Sequence, residues 1–441
     1  MKTNCTRRRA YACLLVAGSC MPGLPAAMAA DLDTSFSAGI GRSDNILRTE
    51  EDPIEENIST VGIQLDFLSS GRKGLIDIVA NGDYVSYRDD TFDSEFVGGA
   101  TLFANYSFVE EVFDWNLEYL YGQQVFNPLS PVRPDNREDV TLLTTGPELN
   151  LAMGSRFFAR VAADYSATNY EINPNDNDRI GVRASIGRRL SATRTLSLVG
   201  ENQRVDFDDD VLAGPDYDNQ GLFLRFESLN PRGSLTVDLG VNELELDGVD
   251  AKSDGTLFRV DWIREVAAGM ELGLGAGSRY SDQGDIFRFL RNVSIDLRDT
   301  EDVAGVTAPF RNDYATATFG IDRERTRLNL VALYSDEDYE GDATLDREVR
   351  RLDLSVTRSF TRKIFGELGA RTLSREFLGL DRDDRDVQYT LALGYWITPT
   401  FSARLSFQHF DRSSNQDVTE FDEERVFLRF SYVPEWNREQ Q

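Results

Sequence analysis

The sequence predicts an all-β protein: a single transmembrane antiparallel up-and-down β-barrel of roughly 18–20 strands, twenty in the best parse. Three observations carry this. Apolar and polar residues alternate with period two along almost the whole chain after residue 31. The connections between alternating runs sort into short turns and long acidic loops. No run of apolar residues after the first thirty approaches the ~20 that a membrane-spanning helix requires.

The chain opens with Lys2 and the three arginines Arg7, Arg8 and Arg9, then an apolar run at 10–18 and small residues at 27–30. This order predicts a secretory signal peptide over residues 1–30, cleaved after Ala30. A lipoprotein site at Cys20 is the alternative, and it lacks a leucine three residues upstream, where Ala17 stands. Cys5, Cys13 and Cys20 are the only cysteines, so a processed chain would have neither disulfides nor thiol chemistry. The net charge is −28, and removing a segment with four bases and no acid leaves −32. Such a balance repels nucleic acid.

The stretch 389–410 shows the repeating unit. Tyr389, Leu391, Leu393, Tyr395 and Ile397 share one face and Thr390, Ala392 and Gly394 the other; after a short turn, Phe401, Ala403, Leu405 and Phe407 oppose Ser402, Arg404, Ser406 and Gln408. Side chains that alternate in this way lie on opposite faces of antiparallel strands. Residues 60–67, 75–84, 96–108, 157–170, 235–241, 314–322, 352–359 and 426–433 repeat the pattern.

Tight connections at 69–73, 153–156, 191–194, 230–233, 267–269, 361–363 and 398–400 alternate with long acidic ones at 42–57, 123–138, 208–217, 282–313, 335–345 and 411–421. A soluble sandwich has no reason to sort its loops; a bacterial outer-membrane barrel does, with short periplasmic turns and long outer loops. Aromatic residues near both kinds of connection suit two interfacial girdles. The parse therefore assigns 31–433 to one barrel in a Gram-negative outer membrane and 434–441 to a short tail. A barrel of this size is wide enough for a water-filled lumen.

With the greasy rows toward lipid, the candidate lumen-lining charges are Asp77, Asp83, Glu118, Asp164, Asp238 and Asp261 together with Arg160, Arg183, Arg225, Arg259, Arg371, Arg404 and Arg429. Two readings are open: facing acidic and basic rows that set up a transverse field suited to neutral or zwitterionic sugars, or neighbouring charges that pair and stiffen the wall. The loop 282–313 holds Ile286, Phe287, Arg288, Phe289 and Arg291, the candidate constriction, since an apolar run of that kind is costly in water.

The segment Gly39-Ile40-Gly41-Arg42-Ser43-Asp44-Asn45-Ile46, with Ala308-Pro309-Phe310 ahead of a later strand, resembles the β-barrel porin families associated with exopolysaccharide and PEP-CTERM/exosortase gene clusters. The resemblance implies an outer-membrane channel that passes a secreted polysaccharide, with periplasmic polysaccharide-export proteins, the barrel-insertion machinery and lipopolysaccharide as partners. The chain departs from such barrels by continuing past Tyr432 to Gln441.

Three further features point to ordinary structure. The stretch 216–227 approaches an EF-hand loop, but the residues after Gly221 alternate as a strand. The glycine cluster 273–277 lies in a strand and opens no helix. His409 is the only histidine, so a Ser-His-Asp site would have to be built on it, and no nucleophile turn is present. The expected function is polysaccharide export without catalysis, cofactor or metal. The alternatives are an uptake porin for small sugars or other small solutes, and an outer-membrane hydrolase.

Overall fold

Alternation along the chain produces strands that can satisfy their backbone groups only in a closed sheet. In the computed structural model, which describes residues 29–208, 215–248, 252–286, 308–340, 343–416 and 419–434, they do so. Most of the predicted signal peptide, most of the tail, and Phe287, Arg288, Phe289 and Arg291 lie outside the described residues.

Twenty strands form one antiparallel sheet. The first five are β1 (Ala29–Ser43), β2 (Glu56–Gly71), β3 (Gly74–Tyr87), β4 (Glu95–Val109) and β5 (Phe113–Val125). They are followed by β6 (Arg137–Met153), β7 (Phe157–Tyr170), β8 (Asn177–Ser191), β9 (Arg194–Phe207) and β10 (Tyr217–Asn230). The next five are β11 (Gly233–Leu246), β12 (Lys252–Ala267), β13 (Met270–Ser281), β14 (Phe310–Arg323) and β15 (Thr326–Tyr339). The last five are β16 (Arg347–Ser359), β17 (Ile364–Phe377), β18 (Arg382–Trp396), β19 (Phe401–Ser414) and β20 (Phe421–Tyr432). Each strand pairs with its sequence neighbours, and β1 pairs with β20 from Phe36↔Tyr432 to Ser43↔Arg425, which closes the barrel. Closure leaves no open edge, the condition for strands to cross a hydrocarbon layer.

Register fixes which residues share a face. Val61, Ile63, Leu65 and Phe67 on β2 stand opposite Tyr84, Gly82, Ala80 and Ile78 on β3. The rows carrying Val61, Ile63, Leu391, Leu393, Leu405 and Phe407 are exposed on the outer surface. These rows form the lipid-facing belt. Residues 217–227 of the EF-hand-like stretch lie in β10, and the glycine cluster 273–277 lies in β13.

The strands extend further than alternation suggests. Residues 335–339, 411–414 and 123–125, read from the sequence as loop, continue β15, β19 and β5. Beyond the lipid belt both faces of a strand meet water or loops, so the hydrophobic signal stops while the hydrogen-bond ladder goes on. Near Gly146 and Pro147, where alternation breaks, β6 continues but omits these two residues from its pairing with β7.

Candidate functional site

All thirteen candidate lumen charges occupy positions opposite in parity to the exposed greasy rows, on the inner face. Asp238 is almost fully buried between Arg225 at 2.8 Å and Arg259 at 2.7 Å, and Asp261 lies 3.3 Å from Arg259. Arg183 pairs with Glu201 at 3.1 Å and Arg160 with Glu148 at 3.3 Å. Arg371 bonds Asp353 at 2.6 Å and Arg404 bonds Glu367 at 2.6 Å. Arg429 reaches Asp83 at 3.3 Å across β1 and β2, over the inner positions of Gly39 and Gly62. A Cβ on Gly62 would lie 2.2 Å from the Asp83 carboxylate, so glycine keeps that path clear. Asp164 lies against Gly181; Glu118 stands opposite Phe103 and Thr144, and Asp77 opposite Leu68 and Phe103.

The inner face is also lined by apolar residues, which departs from the expectation of uniformly wet inner rows. Leu120, Val140 and Leu142 are packed together and buried, as are Val199, Phe223 and Leu257. Val205, Tyr217, Leu244 and Tyr280 form a third cluster toward the outer end. Inner positions escape the lipid constraint, so residues there can be chosen to seat inward-folded chain.

Three segments fold inward. The β1–β2 connection places Ile46 in a cluster with Ile58 and Tyr87 and buries Arg48. The Arg48 guanidinium pairs with Glu423 of β20 at 2.9 Å and sits 4.5 Å from the centre of the Phe410 ring. Glu423 also accepts from Ser43 Oγ at 2.5 Å and bonds Arg425. Asn45 donates to the Asp422 carbonyl at 2.8 Å, tying the loop to β20. Gly41 lies beneath the inner Phe427 ring, where a Cβ would be only 2.4 Å from a ring carbon. The segment 39–46, singled out by its resemblance, thus seats this loop and the barrel seam.

The β5–β6 connection, 126–136, crosses to the other side of the barrel. Arg48 Nη1 donates to the Val132 carbonyl at 2.6 Å, and Arg382, at the start of β18, donates to the Leu129 carbonyl at 2.6 Å. The buried Asn136 side chain holds this loop in shape by donating to the carbonyls of Asn127 and Pro131, each at 3.0 Å. Neighbours in sequence cannot make such contacts; a chain passing through the inside of the barrel can.

The third segment starts the 282–313 connection. Asp282, 3% exposed, bonds Arg179 of β8 at 2.8 Å and accepts from the Tyr217 hydroxyl of β10. Gln283 donates to the Tyr339 hydroxyl of β15 at 2.8 Å. The Asp285 amide caps back onto Asp282 at 2.9 Å, and Ile286, the one described member of the candidate constriction, is half-buried on the short helical turn 283–286. A Cβ at Gly284 would lie 2.6 Å from the Arg179 guanidinium, so glycine permits the close approach. Burial alone would raise the Asp282 pKa; the Arg179 charge and the Tyr217 hydrogen bond outweigh it and hold the carboxyl below its ordinary value.

Sequence reasoning missed Arg48, Arg179, Tyr217, Asp282 and Glu423. It also missed two inner ion-pair networks: Asp353 between Arg351 and Arg371, and Asp386 between Arg375 and Arg412. A signal was available in the i, i+2 pairs Arg351/Asp353, Arg382/Asp384 and Glu423/Arg425, since residues two apart share a strand face. His409 lies on the outer face, stacked on Tyr389 at 6.5 Å.

Residues 347–432, which are β16–β20 and their connections, match the family model "Putative beta-barrel porin 2". The likeness to that family is confined to the last five strands. No curated protein matches the chain. Among solved structures, the FrpB iron transporter from Neisseria meningitidis is similar over 92% of this chain and 82% of its own, at 8% identity and a TM-score of 0.44. The copper transporter OprC covers 92% and 83%, at 10% identity and 0.42. OccK2 (OpdF) of Pseudomonas aeruginosa covers 91% and 98%, at 12% identity and 0.36. These are likenesses of barrel architecture alone.

Proposed function

We propose that this outer-membrane barrel is a non-enzymatic channel of a Gram-negative envelope that passes a secreted polysaccharide, its outer mouth narrowed by its own loops. The observation that carries the reading is the pair of carbonyl bonds from Arg48 and Arg382 to the 126–136 loop, which anchor one side of the barrel's loops to the other. Charged inner rows supply water and hydrogen-bonding groups along the path, as a polar solute needs. Three inward segments, two held by buried ion pairs and one by arginine-to-carbonyl bonds, suit a pathway closed until its polymer or a partner engages it. The export direction rests on the likeness of residues 39–46 to exopolysaccharide-associated porins. Deleting the gene in its host and following polymer tests it: export predicts polysaccharide retained in the periplasm and lost from the surface. Unchanged surface polymer with impaired growth on a small sugar would replace export by uptake.

A further inference from the structure

We propose that the short-turn edge of β8–β16 binds the headgroup phosphates of anionic phospholipids, through arginines that face the membrane on this arc alone. The inference is independent of what passes through the lumen.

Within the hydrocarbon belt the outward rows are alike, but at the short-turn end they part. Arg188 of β8, Arg194 of β9, Arg264 of β12, Arg323 of β14 and Arg358 of β16 are exposed there. The first three follow the parity of the exposed Ile186, Leu196 and Val266, and Arg358 follows that of Leu352. Arg323 joins the same face through Thr326, which pairs with both Arg323 and Arg358. All five therefore point outward. No acid shares that face at this end among the described residues: Glu265, Glu271 and Asp322 hold inward positions, and Asp322 pairs with Arg327 at 3.4 Å. None of the five has a carboxylate partner among the described residues.

The rest of the circumference ends differently. On β17–β20 and β1–β7 the outward rows finish at this end without arginine or lysine among the described residues, and five finish on rings: Phe113, Phe157, Tyr395, Phe401 and Tyr432. Aromatic rings suit the interface of any bilayer. Guanidiniums without acids suit an anionic one. A chain with a net charge of −28 would not collect five unopposed outward cations on one arc by composition alone.

The spacing lets neighbouring arginines share a phosphate. Arg323 and Arg358 flank Thr326 two ladder steps apart, about 10 Å, and Arg358 Nη1 donates to the Thr326 hydroxyl at 3.4 Å. Arg188 pairs with Leu196, which sets Arg194 diagonal to it, about 7–8 Å away. Arg264 pairs with Gly233, beside the exposed turn residue Arg232. A guanidinium grips a phosphate through two parallel N–H donors, and its stem lies along the last apolar residues while the head reaches the headgroup level. The Arg188 head already sits over an interfacial ring, 5.8 Å from the centre of Phe157. The occupant is a lipid and not a soluble acidic protein because the five arginines point sideways into the edge of the bilayer, not down from the turns.

Brominated lipids, which quench a tryptophan they touch, test this. Trp262 is outward, two residues from Arg264, and Trp115 is outward on β5, in the arc without arginines. The barrel, residues 31–441, is made in two forms that keep only Trp262 or only Trp115, with Phe at the other three of Trp115, Trp262, Trp396 and Trp436. Each is reconstituted with brominated phosphatidylglycerol or brominated phosphatidylcholine, and folding is checked by heat-modifiable migration on a gel. At Trp262 phosphatidylglycerol should bind about fivefold more tightly than phosphatidylcholine, and at Trp115 the two should be equal. Arg232→Gln with Arg264→Gln should abolish the preference, Arg264→Lys should keep part of it, and about 0.5 M salt should weaken it. Equal quenching by the two lipids at Trp262 overturns the inference and leaves the arc to an acidic protein. A preference that survives the double substitution, or one of the same size at Trp115, overturns it as well.

Discussion

The two walls of this barrel share one outer face and have opposite inner ones. β2–β6 and β16–β20 present the same exposed aliphatic rows to the outside and pair through the same antiparallel ladder. Inside, the first is lined by acids, amides and small apolar clusters, the second by arginines bracketing buried carboxylates. Lipid constrains every outward residue alike, whereas inward residues are free to differ with what they hold. The inner wall is therefore where this chain departs from a generic barrel.

The largest expected effect comes from breaking the arginine wall at its most buried acid. Glu423→Ala leaves Arg48 and Arg425 without their shared carboxylate and removes the acceptor of Ser43. Stripping one partner from a buried ion pair costs about 3–5 kcal/mol, to be read from urea unfolding of the folded barrel. Asp77→Ala on the acidic wall should change stability by less than about 0.5 kcal/mol. Similar losses at both sites would erase the distinction between the walls.

Next is the Asp282 latch. Asp282→Asn keeps the shape but removes the charge facing Arg179, and it should raise the open probability of single channels several-fold, with Tyr217→Phe giving the same direction and a smaller size. Unchanged gating in both variants would detach the latch from conduction.

Acid should act on the same contact with a definite sign. The Asp282 carboxyl is held below its ordinary 3.8, so the stabilisation it lends is fully present above that value and is lost as pH falls through the lower folded one. Closed-state occupancy should therefore stay level from about pH 8 to pH 5 and fall only in stronger acid. Opening centred near pH 6 would point to a different group.

The smallest effect is on ion selectivity. Arg404→Gln should shift the reversal potential in a salt gradient toward cations and Glu118→Gln toward anions, each by a few millivolts at moderate salt, because screening shortens the reach of both charges. Shifts of the same sign would show that the two arcs, which flank β1, do not differ in the sign of their fields.

The fold was legible because the outer face repeats. Leu391, Leu393, Leu405 and Phe407 each answer to lipid, so the period-two rule holds strand after strand, and β1 still finds β20 because both obey it. Inner residues such as Asp238 and Arg225 could be placed by parity alone, one step from their greasy neighbours. Their partners could not. Arg48 finds Glu423 375 positions away, and Arg382 finds the Leu129 carbonyl 253 positions back. Contacts of that separation follow from closure of the whole sheet, which no local pattern encodes. The apolar run from Ile286 suggested inward folding at 282–313, whereas nothing in the proline-bearing 126–136 stretch announced that it crosses the lumen.

The most direct measurement of the narrowed-mouth channel is single-channel conductance of the barrel, residues 31–441, beside a form carrying both Asp282→Asn and a Gly-Ser replacement of 127–134. The intact chain should be silent or open only briefly, and the altered chain should give large, steady steps. Equal conductance in the two forms would contradict loop closure, and silence in both, with the barrel shown to be folded, would contradict the channel itself.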